Sequence, residues 1–375
     1  MHFGRLDKGR GATLNRVGRF ERQTRDSVDD GWGRLDPHVA APAATELYAD
    51  SSRSIIARNT SPDIPFEQSI NPYRGCEHGC IYCYARPTHH FLGLSSGLDF
   101  ETQIYIKHDA AELLKEAFSR PGYRPSPLAL GSNTDPYQPV ERRLQLTRRV
   151  LEVLADCRHP VSIVTKSAAV LRDLDLLVPM ARDGLASVTL SITTLDSDLA
   201  RRLEPRAAAP HRRLATIREL SSAGVPTSLS LAPVIPGLTD HEIERIVEAA
   251  AGAGVTAASW ILLRLLHDVK ELFEDWLEAH YPARKGKVLS LVRQCRDGQL
   301  NDPAFGSRMR GRGPVADLIR RRFDRVLDRL GLARRRLSLR SDLFTPPNAT
   351  DQLGLFDVER ADRREWQPDA EACRI

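Results

Sequence analysis

Long apolar runs, aromatics and cysteines are all scarce in this sequence, and each shortage excludes a class of protein. The uncharged stretch Ala249 to Leu263 is shorter than the ~18 residues that argue for a membrane span, and it is rich in Gly, Ala, Ser and Thr. The first residues, Met-His-Phe-Gly-Arg-Leu-Asp, lack the apolar core of a signal peptide. Neither a membrane partner nor export is expected, and a cytoplasmic location is. Aromatics are 6% and hydrophobics 41% of 375 residues, the composition of a soluble globular protein long enough for one large α/β barrel domain with extensions. There is no internal repeat, no Walker loop and no G-x-G-x-x-G, so the common nucleotide-cradling loops are missing.

The chain has only six cysteines. In a reducing compartment, clustered thiols mean metal rather than disulfides. Three of them cluster in Arg74-Gly-Cys-Glu-His-Gly-Cys-Ile-Tyr-Cys-Tyr84, where Cys76, Cys80 and Cys83 form C-x3-C-x2-C. Three soft ligands in one tight loop suit an iron–sulfur cluster or a zinc ion. Zinc would need a fourth ligand, for which His78, His89 and His90 are nearby, and usually a second short ligand pair, which is absent. A cluster held by three cysteines accounts for the spacing directly and leaves one iron open. Cys157, Cys295 and Cys373 are isolated and read as inert thiols.

Residues 1–60 are polar, Arg- and Asp-rich and without sustained periodicity, an extension expected to be partly disordered or to wrap the core. From Phe66 short apolar runs alternate with amphipathic helices. Strands are expected at 128–131, 161–165, 187–192, 227–231 and 255–263, and helices at 140–156, 169–183, 211–223 and 239–251. This alternation predicts parallel βαβ units. With the strand that enters the cysteine loop the count is six, short of the eight of a closed barrel. The expected fold is α/β, a partial (β/α)6 TIM-type barrel with an N-terminal extension and a helical C-terminal segment. The core domain is expected at 61–300, an Arg-rich helical segment at 301–340 and a flexible tail at 341–375. Further helices are expected at 267–279 and 314–330, the second opened by Pro314 and stopped by Gly331. From Arg308 to Arg340 there are twelve arginines against Asp317, Asp324 and Asp328. Such a block is either the footprint of a polyanion partner or a solvated helix.

With Tyr82 just before the last cysteine, the C-x3-C-x2-C loop resembles the signature of the radical S-adenosylmethionine (radical SAM) superfamily. The resemblance extends over most of residues 66–265 and is closest to the spore photoproduct lyase-like branch. It implies a [4Fe–4S] cluster on Cys76, Cys80 and Cys83, with S-adenosylmethionine on the open iron and an aromatic, here Tyr82, against the adenine. One-electron reduction would then yield a 5′-deoxyadenosyl radical, the electron coming from a flavodoxin- or ferredoxin-type reductant. The family's Gly-Gly-Glu run is absent. Asn133, Thr134 and Asp135 in Gly131-Ser-Asn-Thr-Asp-Pro-Tyr are its substitutes for holding the methionine amino group, unless Asp135-Pro136 only makes a turn. Ser191 and Thr193 resemble the ribose-binding position, and Arg213 or Arg206 could pair with the methionine carboxylate. The stretch 232–240 occupies the place where the superfamily packs backbone against adenine.

The implied substrate is a nucleic acid, either a pyrimidine lesion in DNA or a base in RNA. That branch also uses a cysteine as hydrogen donor, and none of the three isolated cysteines lies in a matching motif. Alternatives are a radical enzyme acting on a peptide or small metabolite, and a non-catalytic iron–sulfur or zinc repair accessory protein. The tail motif Gln352-Leu-Gly-Leu-Phe356 resembles the pentapeptide by which repair proteins dock on the bacterial sliding clamp, so the clamp is a candidate partner.

Overall fold

The computed structural model describes residues 10–12, 15, 20, 44–334 and 338–347. Ten strands are present: β1 (Glu46–Ala49), β2 (Ile56–Arg58), β3 (Gln68–Ile70), β4 (Tyr73–Arg74), β5 (Gln103–Ile106), β6 (Leu128–Leu130), β7 (Val161–Thr165), β8 (Ala186–Ser191), β9 (Thr227–Val234) and β10 (Ala257–Leu262). Seven make the main sheet, in the order β10-β9-β8-β7-β6-β3-β2. Every neighbouring pair from β3 to β10 is parallel, and β2 joins antiparallel at the edge. The six parallel strands form the expected open (β/α)6 arrangement; no closed barrel is formed.

The inner strands are mostly β-branched or aliphatic, with serines interspersed, and largely buried on both faces; all of β8 is buried. That is the pattern of a parallel sheet covered by helices. The helices between them present Leu, Ile, Val and Ala to one continuous core, as in Ile243–Ala253, where Ile246, Val247 and Ala250 are buried at helical spacing. Three expected helices are broken, 239–251 among them, where Asp240–Glu242 form a 3₁₀ turn ahead of Ile243–Ala253. Gln145 adopts a left-handed φ of 53° and divides 141–156 into Glu141–Leu144 and Leu146–Asp156. Residues 168–173 form a 3₁₀ turn ahead of the α-helix Leu174–Arg182.

A second, three-stranded sheet, β1-β5-β4, carries the entry to the cysteine loop. The loop thus follows two-residue β4 rather than leaving the main sheet directly. Beyond β10 run the helices Val269–His280, Pro282–Gln294 and Gly313–Leu330, the last closed by Gly331 at φ 65°. The middle one lacked a clean apolar stripe in the sequence. Residues 338–347 dock on the core. Arg340 N donates to Gly184 O and Thr345 N to Cys157 O, while Phe344 packs edge-on against Phe118 and His159. Gln352–Phe356 lies outside the described residues. Among those residues no helix is long and apolar enough to cross a membrane.

Candidate cluster and cofactor site

The cysteine loop is shaped by two glycines and held by one arginine. Gly75 and Gly79 take φ of 81° and 64°, and a Cβ on Gly79 would lie 2.7 Å from Glu101 Oε2. Cys76 N donates to Phe100 O (2.9 Å) and Cys83 N to Cys80 O (3.1 Å). Arg86 is wholly buried beneath the loop. Its Nε donates to Cys80 O (2.9 Å), and Nη2 to Gly79 O (3.2 Å) and to Glu101 Oε1 (2.5 Å). Nη1 reaches Ser96 O and Gly97 O. Glu101 in turn accepts Gly11 N (2.9 Å) and Ala12 N (2.8 Å). A piece of the N-terminal stretch therefore lies directly on the cysteine loop.

The loop also reaches forward. Glu77 N donates to Gln138 Oε1, and the Glu77 carboxylate accepts Val140 N (2.6 Å) and pairs with Arg206 Nη1 (3.1 Å). His78 Nδ1 lies 3.3 Å from Asp135 Oδ2. Burial alone would raise the Asp135 carboxyl, but His78 and the hydrogen bonds from Lys166 N and Thr165 Oγ1 hold it at about 2. With Tyr137 N as a further donor, Asp135 is engaged entirely within the protein. Asn71 Oδ1 accepts Asn133 N (2.9 Å) and Thr134 N, and the buried Thr134 hydroxyl faces Tyr73 O. Of these three residues, only Asn133 has an exposed side chain.

The other expected residues come together in one network. Tyr82 OH donates to Glu204 and lies 3.1 Å from Thr193 Oγ1. Thr193 bonds Glu204 Oε1 (2.8 Å) and Ala232 O (3.2 Å). Arg213, buried, donates to the Glu204 carboxylate through Nη2, to Ser191 O (2.9 Å) through Nη1 and to Ala208 O (2.7 Å) through Nε. Lys166 Nζ, at the carboxyl end of β7, donates to Ser191 Oγ (2.9 Å) and lies 6.0 Å from the Tyr82 ring centre. Burial would raise Glu204, but Arg213 and Lys166 hold it at about 2. Burial also pushes the Cys80 thiol up to about 12, with Lys166 opposing.

Lys166 and Glu204 were missed as site residues. Lys166 directly follows the Val161-Ser-Ile-Val-Thr run, where the end of a parallel strand alone could have marked it. Glu204 heads the Glu204-Pro-Arg206 stretch, whose arginines drew attention instead.

The donors fit a [4Fe–4S] cluster rather than zinc. Among the described residues no three His, Cys, Asp or Glu side chains converge on one metal-ion position. The histidines zinc would need are turned elsewhere. His78 faces Asp135, His89 Nε2 faces Gln103 O (3.0 Å) and His90 Nε2 lies 3.0 Å from Asp268 Oδ2. Cys157 caps the helix leading to the amino end of β7, the pole opposite the site, and Cys295 is enclosed in the core.

A three-thiol loop backed by polar groups from the carboxyl ends of successive parallel strands defines a cluster-dependent barrel enzyme. The sequence matches the Radical SAM superfamily over residues 70–250. An uncharacterized protein of Mycobacterium tuberculosis is 36% identical over 258 residues, 68% of this chain and 74% of that protein. A protein of Pseudomonas phage M6, described as a radical SAM Nα-GlyT isomerase, is 26% identical over 224 residues, 58% of this chain and 44% of its own length. Among solved structures, a mutant spore photoproduct lyase has the same fold at TM-score 0.54 and 18% identity, over 76% of this chain and 79% of that one. Another mutant of it, with bound AdoMet and dinucleoside spore photoproduct, gives 0.51 at 17% identity, over 76% and 78% of the two chains. The chain belongs to the radical SAM superfamily, whose cofactors are a [4Fe–4S] cluster and S-adenosylmethionine.

Proposed function

We propose that this chain is a radical enzyme acting on a nucleic-acid base. Cys76, Cys80 and Cys83 would hold the cluster, which would supply one electron, received from a flavodoxin- or ferredoxin-type reductant, to cleave the sulfonium C–S bond of S-adenosylmethionine to methionine and a 5′-deoxyadenosyl radical. The observation that carries the reading is the network joining Tyr82 in the cysteine loop to Glu204, Thr193, Ser191 and Lys166 at the strand ends. Among the described residues Lys166, unlike Arg213, has no carboxylate within 4 Å, and it pairs with the methionine carboxylate. Arg213 is buried and directs Nε, Nη1 and Nη2 to Ala208 O, Ser191 O and Glu204, and positions Glu204 instead. Ser191 and Thr193 face the ribose, the Tyr82 ring the adenine, and the 133–135 loop the amino group, with Asn133 as the side chain free to turn inward. The packed loop, Arg86 and residues 10–12 exclude water from the reactive centre.

One of the spore photoproduct lyase structures with this fold is described with bound dinucleoside spore photoproduct, which supports a nucleic-acid substrate. Among the described residues neither isolated cysteine suits a hydrogen donor for lesion reversal, since Cys157 stands at the opposite pole and Cys295 in the core, while Cys373 lies outside the described residues. Rearrangement or modification of a base is the favoured reaction. Docking on the sliding clamp through Gln352–Phe356 would bring the enzyme to DNA. The test is anaerobic incubation of the reconstituted protein with reductant, S-adenosylmethionine and single-stranded DNA or RNA carrying deuterium on the bases. Deuterium in 5′-deoxyadenosine is expected. Deoxyadenosine formed without deuterium from either polymer would refute the substrate, and none formed would refute the chemistry.

A further inference from the structure

A second polar cavity, of about 580 Å³, opens beside β10, away from the cysteine loop. Its walls are Ala258 and Trp260 of β10, the loop from Phe305 to Arg312, and Arg320, Phe323 and Asp324 of the helix Gly313–Leu330, with Arg334 at the rim. None of these residues belongs to the cluster site. Trp260 packs toward the helix layer against Phe323, at 6.2 Å between ring centres.

The cavity has three features of a built anion site. Its charge is unbalanced, with Arg310, Arg312, Arg320 and Arg334 against Asp324. Arg320 and Arg334 are paired, to Asp317 and Asp328, and Arg312 reaches Asp297 loosely at 3.6 Å. Arg310 has no ion pair or side-chain hydrogen bond among the described residues. Arg310 is exposed, and its guanidinium lies over the Trp260 ring, 4.6 Å from the ring centre, on the wall of the cavity. Surrounding protein pulls the Arg310 pKa below its ordinary value, and Asp324 alone opposes this.

The sheet edge is interrupted at the same place. Ala258 N donates outward to Ala333 O, and Leu262 N to Met309 O. By strand alternation the Trp260 N–H between them points the same way, and it has no acceptor among the described residues. Finally Phe305, 59% exposed, stands at the mouth with the Arg308 guanidinium over its ring at 4.7 Å, a surface on which a planar base can stack.

We propose that this cavity is a phosphate-binding site, in which Arg310 and the Trp260 N–H hold the phosphoryl oxygens of a nucleotide whose base stacks on Phe305. The volume suits one nucleotide, and the guanidinium fork suits two phosphoryl oxygens at once. The ligand is a nucleotide either free or within a strand. Nothing in the proposal depends on radical chemistry, so binding and S-adenosylmethionine cleavage can fail separately.

The test uses the full-length, anaerobically reconstituted protein and two probes, a fluorescein-labelled single-stranded dodecanucleotide read by anisotropy and ADP read by calorimetry. Arg310→Ala is expected to weaken at least one probe tenfold or more while cluster absorbance and deoxyadenosine formation stay within twofold. Pyrophosphate is expected to compete with that probe in the wild-type protein. Loss with the dodecanucleotide places the phosphate in a strand; loss with ADP alone makes the ligand a free nucleotide. If Arg310→Ala unfolds, Arg310→Gln, which keeps the stem over Trp260, carries the same test. Binding of both probes within twofold of wild type in the folded variant, or no binding of either by the wild type, overturns the proposal.

Discussion

Glu204 is enclosed between a guanidinium, a phenol and a hydroxyl that donate to it, and with the Lys166 ammonium nearby they keep it charged. Glu204→Gln keeps the shape but leaves Arg213 buried without a counter-charge, a loss of about 3–5 kcal/mol to be read from urea unfolding at pH 7. The acid limb should identify the group. Both Glu204 and Asp135 have folded pKa values depressed to about 2 from 4.5 and 3.8. Their contributions are therefore complete above the unfolded values and are lost as pH falls from about 5 toward 2. At 1.36 kcal/mol per pKa unit this amounts to roughly 3 kcal/mol for Glu204. The wild type should lose that margin over Glu204→Gln as the pH is taken from 7 toward 2, and a constant margin would show that the carboxylate is not the source. Lys166 should behave differently, since its ammonium is solvent-reachable and bonded to one hydroxyl. Lys166→Ala should leave stability within about 1 kcal/mol yet weaken S-adenosylmethionine about tenfold to a hundredfold, the worth of one charge-assisted hydrogen bond. Equilibrium dialysis under argon checks this.

The cysteine loop with its supports, Arg86, Glu101 and residues 10–12, is the element on which the site depends. Gly11 approaches so closely that a Cβ there would lie 1.8 Å from Gly79 O, a clash with backbone that no side-chain movement relieves. Gly11→Val should displace the N-terminal piece and, with it, two of the donors to Glu101, lowering iron and sulfide per chain after reconstitution. Arg86→Leu removes the other donor and should abolish cluster loading altogether; full iron content in both variants would sink this account of the loop. The main-sheet elements were legible because each strand from β6 to β10 is a short apolar run between turn signals, and the cysteine spacing was legible because it is local. The three-stranded sheet was not legible. β4 has two residues and β1 is largely exposed, so neither carries a periodic signal, and their pairing with β5 is set by tertiary contact. The helix Pro282–Gln294 hid for the same reason, with only Val288, Leu289 and Val292 buried. Asp135 was read as a polar group at a strand end; its turn contact with Tyr137 N is local, but no sequence pattern shows that three further donors, His78, Thr165 and Lys166, already surround it.

At the scale of the whole molecule, an open sheet has two edges to secure, here β2 and β10. Asp63, in the connection from β2 to β3, receives Arg308 Nε at 2.7 Å and Nη2 at 2.5 Å, and Gly306 N at 3.4 Å. A bidentate, largely enclosed pair thus fastens the segment after β10 to the segment after β2. Much of the arginine-rich stretch is spent in similar ways, with Arg322 on Glu244 and Arg329 on Glu248, so its raw charge overstates what remains for a polyanion. The hydrogen bond from Arg308 lowers the Asp63 pKa. The clasp therefore contributes fully above the ordinary carboxyl pKa and releases only as pH falls through the lowered value below it. Asp63→Asn should keep the fold, since the core does not pass through this pair, but should speed amide exchange in residues 59–67 and 304–312 at neutral pH. The wild type should match the variant only in acid. Because Phe305 to Arg312 also wall the cavity beside β10, the same substitution should loosen nucleotide binding there by severalfold, less than Arg310→Ala does. Unchanged exchange in both segments would mean that the edges are held by packing alone.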